Sequence, residues 1–218
     1  TMFSSYKGND SPETAAAALI LGIMHPPGYP LMTMTGKIAS ALPLANPAFR
    51  INVFSALLAV AVVIFMYLIL IRHVFACYKS ELSFRLLAAG FAFVLAFSGY
   101  FWPQALEAKG GIYNLNLFFL SVIFLAMLEA IKNNEVKFIY LSAYIYGLSL
   151  SNHWPSMIVL LPLFIWVIYG IKPALSCKKL FMSSAFTVLG LSAYMFLYVR
   201  AGTSPDKNWG DPGTIGRL

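Results

Sequence analysis

The sequence predicts an all-α protein: a polytopic transmembrane helical bundle with two juxtamembrane helices in its first external loop. Three observations carry this. Of 218 residues, 60% are hydrophobic and only 11% charged, whereas ordinary globular domains are about a quarter charged. Apolar runs close to the roughly 20 residues that a membrane-crossing helix needs recur along the chain. Basic residues gather in the short segments between alternate runs, as the orientation rule for membrane proteins requires.

Residues 1–48 come first, as an external loop. Pro12 to Met24 is rich in Ala and Leu and reads as a short helix. The block His25-Pro26-Pro27-Gly28-Tyr29-Pro30 then forces a turn, because proline fixes φ and lacks a backbone donor. A second short helix is expected over Leu31 to Leu42. Both are too short to span, so they are placed along the membrane surface.

Residues 49–199 hold about six transmembrane helices, in the runs 49–71, 86–102, 112–131, 138–151, 155–171 and 180–199. The fourth is short enough to be tilted, re-entrant or merged with its neighbour. Residues 200–218 begin another external loop. The chain starts at Thr1 and stops inside a polar segment, so it reads as a fragment of a longer membrane protein, lacking a first span and whatever follows Leu218.

Charge sets the orientation. Arg72, Lys79, Arg85, Lys132, Lys137, Lys172, Lys178 and Lys179 are eight of the fifteen basic residues and fall in three short loops, which are therefore assigned to the cytoplasm. Cys77 and Cys177 lie in those loops, so no disulfide is expected. The opposite side carries Asp10, Glu13, Glu107, Asp206 and Asp211, five of the eight acids. Carboxylates, histidines and prolines thus converge on one external face. The net charge of +7 reports topology, since no basic soluble face is available to bind nucleic acid.

Asp10 and Glu13 are three residues apart, and two readings stand. Asp10 as N-cap with Glu13 closing a capping box would start the first helix. A carboxylate held there could equally remove a proton from an attacking hydroxyl. His25 could orient a carboxylate or donate to a phosphate, or simply hold the turn. Glu107 and Lys109 could be an exposed ion pair. Asn116, one turn into an apolar run, needs a polar partner. Asn152 and His153 lie between two spans on the same face, beside Trp154 as an interface anchor. Nucleotide-binding glycine motifs and paired-cysteine or zinc-protease motifs are absent from the sequence. The scattered histidines and acids leave a divalent metal possible without defining a site.

Several blocks together resemble a bacterial multi-pass membrane family, long filed as a domain of unknown function, that is related to transmembrane protein O-mannosyltransferases. They are Gly8-Asn9-Asp10-Ser11-Pro12-Glu13, His25-Pro26-Pro27-Gly28-Tyr29-Pro30-Leu31, Asn52-Val53-Phe54-Ser55-Ala56-Leu57, Tyr113-Asn114-Leu115-Asn116, Gly147-Leu148-Ser149-Leu150-Ser151-Asn152-His153 and Asn208-Trp209-Gly210-Asp211-Pro212. The resemblance implies a GT-C glycosyltransferase (family 117) in a membrane such as the bacterial inner membrane, with its active site on the periplasmic or external face. It implies a lipid-linked donor, polyprenyl-phosphate mannose, and a protein or glycan hydroxyl as acceptor. Asp10 and Glu13 become the catalytic candidates, with Asp10 preferred because Glu13 would be occupied in capping. His25, Tyr29, Glu107, Lys109, Tyr113, Asn116, Asn152, His153, Arg200, Trp209 and Asp211 become the substrate-binding candidates. Lys109, His25, His153 and Arg200 would face the departing lipid phosphate. The Gly-rich stretch around Lys109 departs from the family pattern. A transporter or lipid flippase is the competing expectation and predicts internal inverted repeats, which are not visible; a non-catalytic scaffold is a third.

Overall fold

The computed structural model describes residues 10–78, 81–159, 161–162, 165, 176–214 and 216. Among them the regular structure is helical, with one isolated β-bridge. Helix α1 (Ser11–Ile20) and α2 (Pro30–Ser40) are the two short helices expected before the first span. Pro12 and Pro30 each occupy a first-turn position, where the missing N–H costs nothing. Leu21 ends α1 in the left-handed region. Small residues let the two helices meet closely: Ala15, Ala17 and Ala18 are fully buried with Met32, Ile51 and Ile112.

Helix α3 (Pro47–Ile69) starts on an Asn46 cap whose side chain accepts from the Phe49 N–H, and runs on into a π-helical turn, Leu70–Val74. Helix α4 (Leu82–Ala96) returns, a short α5 (Phe101–Ala105) turns the chain, and α6 (Gly110–Asn133) runs parallel to α3. Ser55 meets Asn114 at one end of the α3–α6 pair, and Arg72 meets Glu129 at the other. Helix α7 (Val136–Ile158) comes back antiparallel to α6 and kinks at His153, two residues before Pro155. Helix α8 (Cys177–Leu191) runs parallel to α7 and continues through a 3₁₀ turn into α9 (Met195–Ala201). Gly147 and Gly190 permit that crossing: a Cβ on Gly147 would lie 2.1 Å from the Thr187 carbonyl oxygen.

Among the described residues, three stretches are long and apolar enough to cross a membrane, Pro47–Val74, Gly110–Asn133 and Cys177–Ala201, with α4 as a shorter apolar helix. The α6 stretch is the most enclosed of the three, so it forms the axis of the bundle. The molecule is thus an all-α helical membrane protein. The expected runs shift in detail. The run 86–102 splits into α4 and α5 at a turn around Gly99. The run 138–151 merges with the start of the next into α7, because the Pro155 ring bends the helix without ending it. Most of the run 155–171 lies outside the described residues.

Candidate functional site

The turn between α1 and α2 is shaped by backbone that other residue types adopt poorly. Gly28 has φ +89°, and a Cβ there would come within 2.6 Å of Leu197 Cδ1 on α9. Tyr29 follows at φ 45°. The turn therefore lies against α9 and aims the rings of His25 and Tyr29 back over the start of α1.

Neither acid caps a helix. Asp10 sits at the N-cap without a side-chain cap bond, and its carboxylate is 2.5 Å from the Lys109 ammonium. Glu13 turns away from the helix start. It accepts from the His25 backbone N–H at 3.0 Å and from His25 Nδ1 at 2.8 Å, and it lies 3.3 Å from Lys207 Nζ. The capping box expected from the spacing is absent because stronger, charged donors outbid the local backbone. The ground for preferring Asp10, that Glu13 would be spent in capping, goes with it. A different ground replaces it: Glu13 is spent on His25 and Lys207.

These contacts set the charge state. The hydrogen bond from Lys109 holds the Asp10 carboxyl below its ordinary range, and the same bond raises Lys109. Burial alone would push Glu13 upward, but the His25 ring and backbone donors and Lys207 outweigh it and hold that carboxyl low as well. An ionised Glu13 accepts only, so His25 Nδ1 carries the proton. Tyr29 Oη lies 3.3 Å from His25 Nε2. Burial, with Tyr113 and the two acids nearby, pushes the Tyr29 phenol up to about 12, so it keeps its proton.

The cluster continues across the bundle. Tyr29 stacks on His153 at a ring separation of 5.8 Å, and Tyr113 meets His153 edge-on at 5.5 Å. His153 Nδ1 is 2.9 Å from Ser156 Oγ, and the Asn116 amide donates to both the His153 carbonyl and Ser156. Asn152 is fully buried; its amide donates to Asn116 and Ile112, and its oxygen accepts the Met32 N–H at the start of α2. Asn116 therefore finds the partners its position demands. One polar chain thus ties α1, the proline turn, α2, α6 and α7 together.

The remaining expected residues divide. Glu107 is half-buried and adds to the field at Lys109. Trp209 lines a groove of about 320 Å³ with Trp154, Tyr194, Leu197, Pro26 and Pro27, at the edge of the turn. Arg200 does not face the acids: its guanidinium donates to the Leu21 and Ile20 carbonyls and to Thr203. The last carbonyls of α1 need donors, and a five-donor guanidinium satisfies them. Asp211 accepts from Asn208 within its own turn.

Lys207 is the residue that sequence reasoning missed. It arrives through backbone pairing, with the Ile23 N–H donating to the Lys207 carbonyl at 2.8 Å and the Trp209 N–H to the Ile23 carbonyl at 3.3 Å. Its position directly before the Asn208-Trp209-Gly210-Asp211-Pro212 block was the available signal. Ser11 was missed too; its hydroxyl accepts the Lys109 N–H at 3.3 Å. Among the described residues, no group of three or more metal-ligating side chains converges.

The chain is 31% identical over 225 residues to the mouse protein O-mannosyl-transferase TMEM260, and 25% identical over 234 residues to the Dictyostelium discoideum protein O-mannosyl-transferase tmem260. The alignments cover 99% of this chain in both cases, but 30% of the mouse protein and 27% of the Dictyostelium one, so the chain spans less than a third of the length of these relatives. No solved structure matches it. The family model for the protein O-mannosyl-transferase TMEM260 N-terminal domain matches residues 10–176, from the first acid to the cap of α8, and the chain belongs to that family.

Proposed function

We propose that this chain carries the base and the donor-binding face of a membrane glycosyltransferase that moves mannose from a polyprenyl-phosphate donor to a protein hydroxyl. The observation that carries the reading is the pair of ionised carboxylates, each matched to a lysine, beside an aromatic groove at one end of an apolar bundle. The relatives' names, protein O-mannosyl-transferase, supply the sugar and the acceptor class.

Asp10 is the proposed base. Its side chain is about one-third exposed, and an acceptor hydroxyl can reach it. Glu13 is more enclosed and holds three donors, which suits an anchor for the turn. In the step itself, Asp10 takes the hydroxyl proton as that oxygen bonds to the anomeric carbon. The bond from that carbon to the phosphate oxygen breaks, and the polyprenyl phosphate leaves with the electron pair. A single displacement inverts the anomeric centre. The ammonium groups beside the acids stabilise the charge that builds on the leaving phosphate.

The working face is assigned to the external side, because the Arg72 and Lys132 loops lie at the other end of the bundle. The test uses the full-length protein in lipid nanodiscs with polyprenyl-phosphate mannose and a folded acceptor domain. Asp10→Asn and Glu13→Gln are compared with wild type after folding is checked. If neither slows transfer tenfold, the base lies elsewhere. A folded wild type that transfers no sugar from any lipid donor, yet moves a solute across vesicles, would replace this reading with a transporter.

A further inference from the structure

We propose that Lys109 and Lys207 exchange their carboxylate partners for the phosphate of the lipid donor, and that this exchange frees the Asp10 carboxylate to act as the base. The inference rests on the transferase reading and adds a switch to it: the donor arms the base.

Geometry makes the exchange feasible. The Lys109 and Asp10 side chains are 31% and 33% exposed, and Lys207 is 27% exposed. Partly exposed ion pairs are screened by water, so a second anion can compete for either ammonium. Lys109 precedes α6 and Lys207 lies in the loop after α9, 98 residues further on, yet their partners stand three residues apart at the start of α1. In the proposed complex a phosphate bound beside these two carboxylates takes both ammonium groups.

The charge change during the reaction favours the same arrangement. A sugar bonded through phosphate to a lipid is a phosphodiester with one negative charge. When the sugar leaves, the phosphate becomes a monoester with a second charge developing. Two lysines suit that second charge better than the first, so they bind the transition state more tightly than the donor. Asp10 responds in the right direction. Its bond to Lys109 is the largest cause of its lowered pKa, and losing that bond raises its affinity for a proton when the acceptor hydroxyl needs a base.

Glu13 is built to stay. When Lys207 departs, the two His25 donors remain on it, so the proline turn keeps its shape. The groove explains how a lipid would arrive. Trp154 and Tyr194 line the cavity beside the turn and also a second, almost wholly apolar groove of about 670 Å³ along α7 and α8, past Leu150, Ile158 and Val188. An isoprenoid chain lying in it would end with its phosphate beside Lys207, whose neighbours Ile23 and Trp209 form the groove wall.

The test is binding, not turnover. Radiolabelled polyprenyl phosphate, without sugar, is titrated onto the full-length protein in nanodiscs. Lys109→Met and Lys207→Met should each weaken binding at least tenfold, with Lys109→Arg restoring most of it. Asp10→Asn should tighten binding about fivefold, because the competing anion is gone; a merely structural role for Asp10 would predict no change or a loss. Inorganic phosphate should compete at least a hundredfold less well than the lipid. Unchanged or weaker binding by Asp10→Asn overturns the exchange. Unchanged binding by both lysine variants does so too, as does equal competition by inorganic phosphate. If the binding pattern holds while wild type transfers no sugar, the exchange stands and the transferase reading falls.

Discussion

The two ends of the bundle each bring a carboxylate against basic side chains, and they do so in opposite ways. At the α1 end, Asp10 and Glu13 lie on a surface helix, partly open to water, and their lysines come from loops. At the other end Glu129 sits on α6 and is 7% exposed. It takes the Arg72 guanidinium at 2.9 Å and the Asn133 amide at 2.8 Å, with His73 Nε2 at 3.3 Å. Arg72 and His73 are adjacent in sequence, and the π-helical turn Leu70–Val74 carries both to one carboxylate. Widened turns of this kind are rare and recur where side-chain placement matters. Held by helices, with the carboxylate and the His73 ring nearly buried, the Glu129 cluster fixes how α3 and α6 meet. Held by loops and wet, the Asp10 cluster can change partners.

This contrast can be broken by substitution, and the largest expected effect is on chemistry. Asp10→Asn should lower transfer by the full-length protein about 10²–10⁴-fold, the usual range for losing a general base, with an unchanged unfolding midpoint. Glu129→Gln should do the reverse and leave turnover per folded molecule within about threefold. Transfer assays paired with thermal unfolding in nanodiscs separate the two; matching profiles for both variants would erase the distinction.

Stability comes next. Glu129→Ala removes the ion-pair partner of Arg72 and the acceptor of the Asn133 amide, which should cost about 1–3 kcal/mol. Asp10→Ala removes a partly exposed pair and should cost less than about 1 kcal/mol. Unfolding in graded denaturant would rank them, and a larger loss for Asp10→Ala contradicts the comparison.

Acid should distinguish the first loop in a third way. The Asp10 and Glu13 carboxyls are both held below their ordinary values. Their contribution to stability is therefore complete above the unfolded carboxyl range near pH 4 and is lost as pH falls through the lower, folded values. Protease cutting around His25 to Tyr29 should stay flat from pH 5 to pH 8 and rise only below about pH 4, read with an acid-active protease. A rise that begins near pH 6 would assign the turn's stability to some other group.

The smallest expected effect sharpens the role of the turn. Tyr29→Phe keeps the ring on His153 and loses the hydroxyl at His25, which should cost about 0.5–1.5 kcal/mol and slow transfer only a few-fold. A hundredfold loss of transfer would move the phenol into the chemistry itself.

The difference between the ends also explains what could be read from the sequence. The proline turn, the short flanking helices and the apolar spans announce themselves through local chemistry, and α1, α2, α3 and α6 lie close to where the residues place them. The polar residues of the first loop stand out against an apolar background, so Asp10, Glu13, His25 and Lys109 were recognisable as a group. Their pairing was not. Two acids three apart on a helix start look like a capping box, and only the tertiary arrival of Lys109, His25 and Lys207 decides otherwise. Arg200 shows the converse, a cation on the expected face that the end of α1 consumes. Glu129 was legible in principle as an acid inside an apolar run. Its partners depend on a π turn, which leaves no mark in hydrophobic periodicity.

The pairing of Ile23 with Asn208 has a consequence for how the molecule is made. A ribosome delivers the acids of α1 long before it delivers Lys207, and all the helices between must first be laid into the bilayer. Contacts so distant in sequence close late. The nascent protein therefore carries its carboxylates through the insertion of α3 to α9 without the segment that fastens the turn over them. Residues 207–209 act as a latch on this turn, and a chain arrested before them would have both acids and the helices before them, but an unsecured working face.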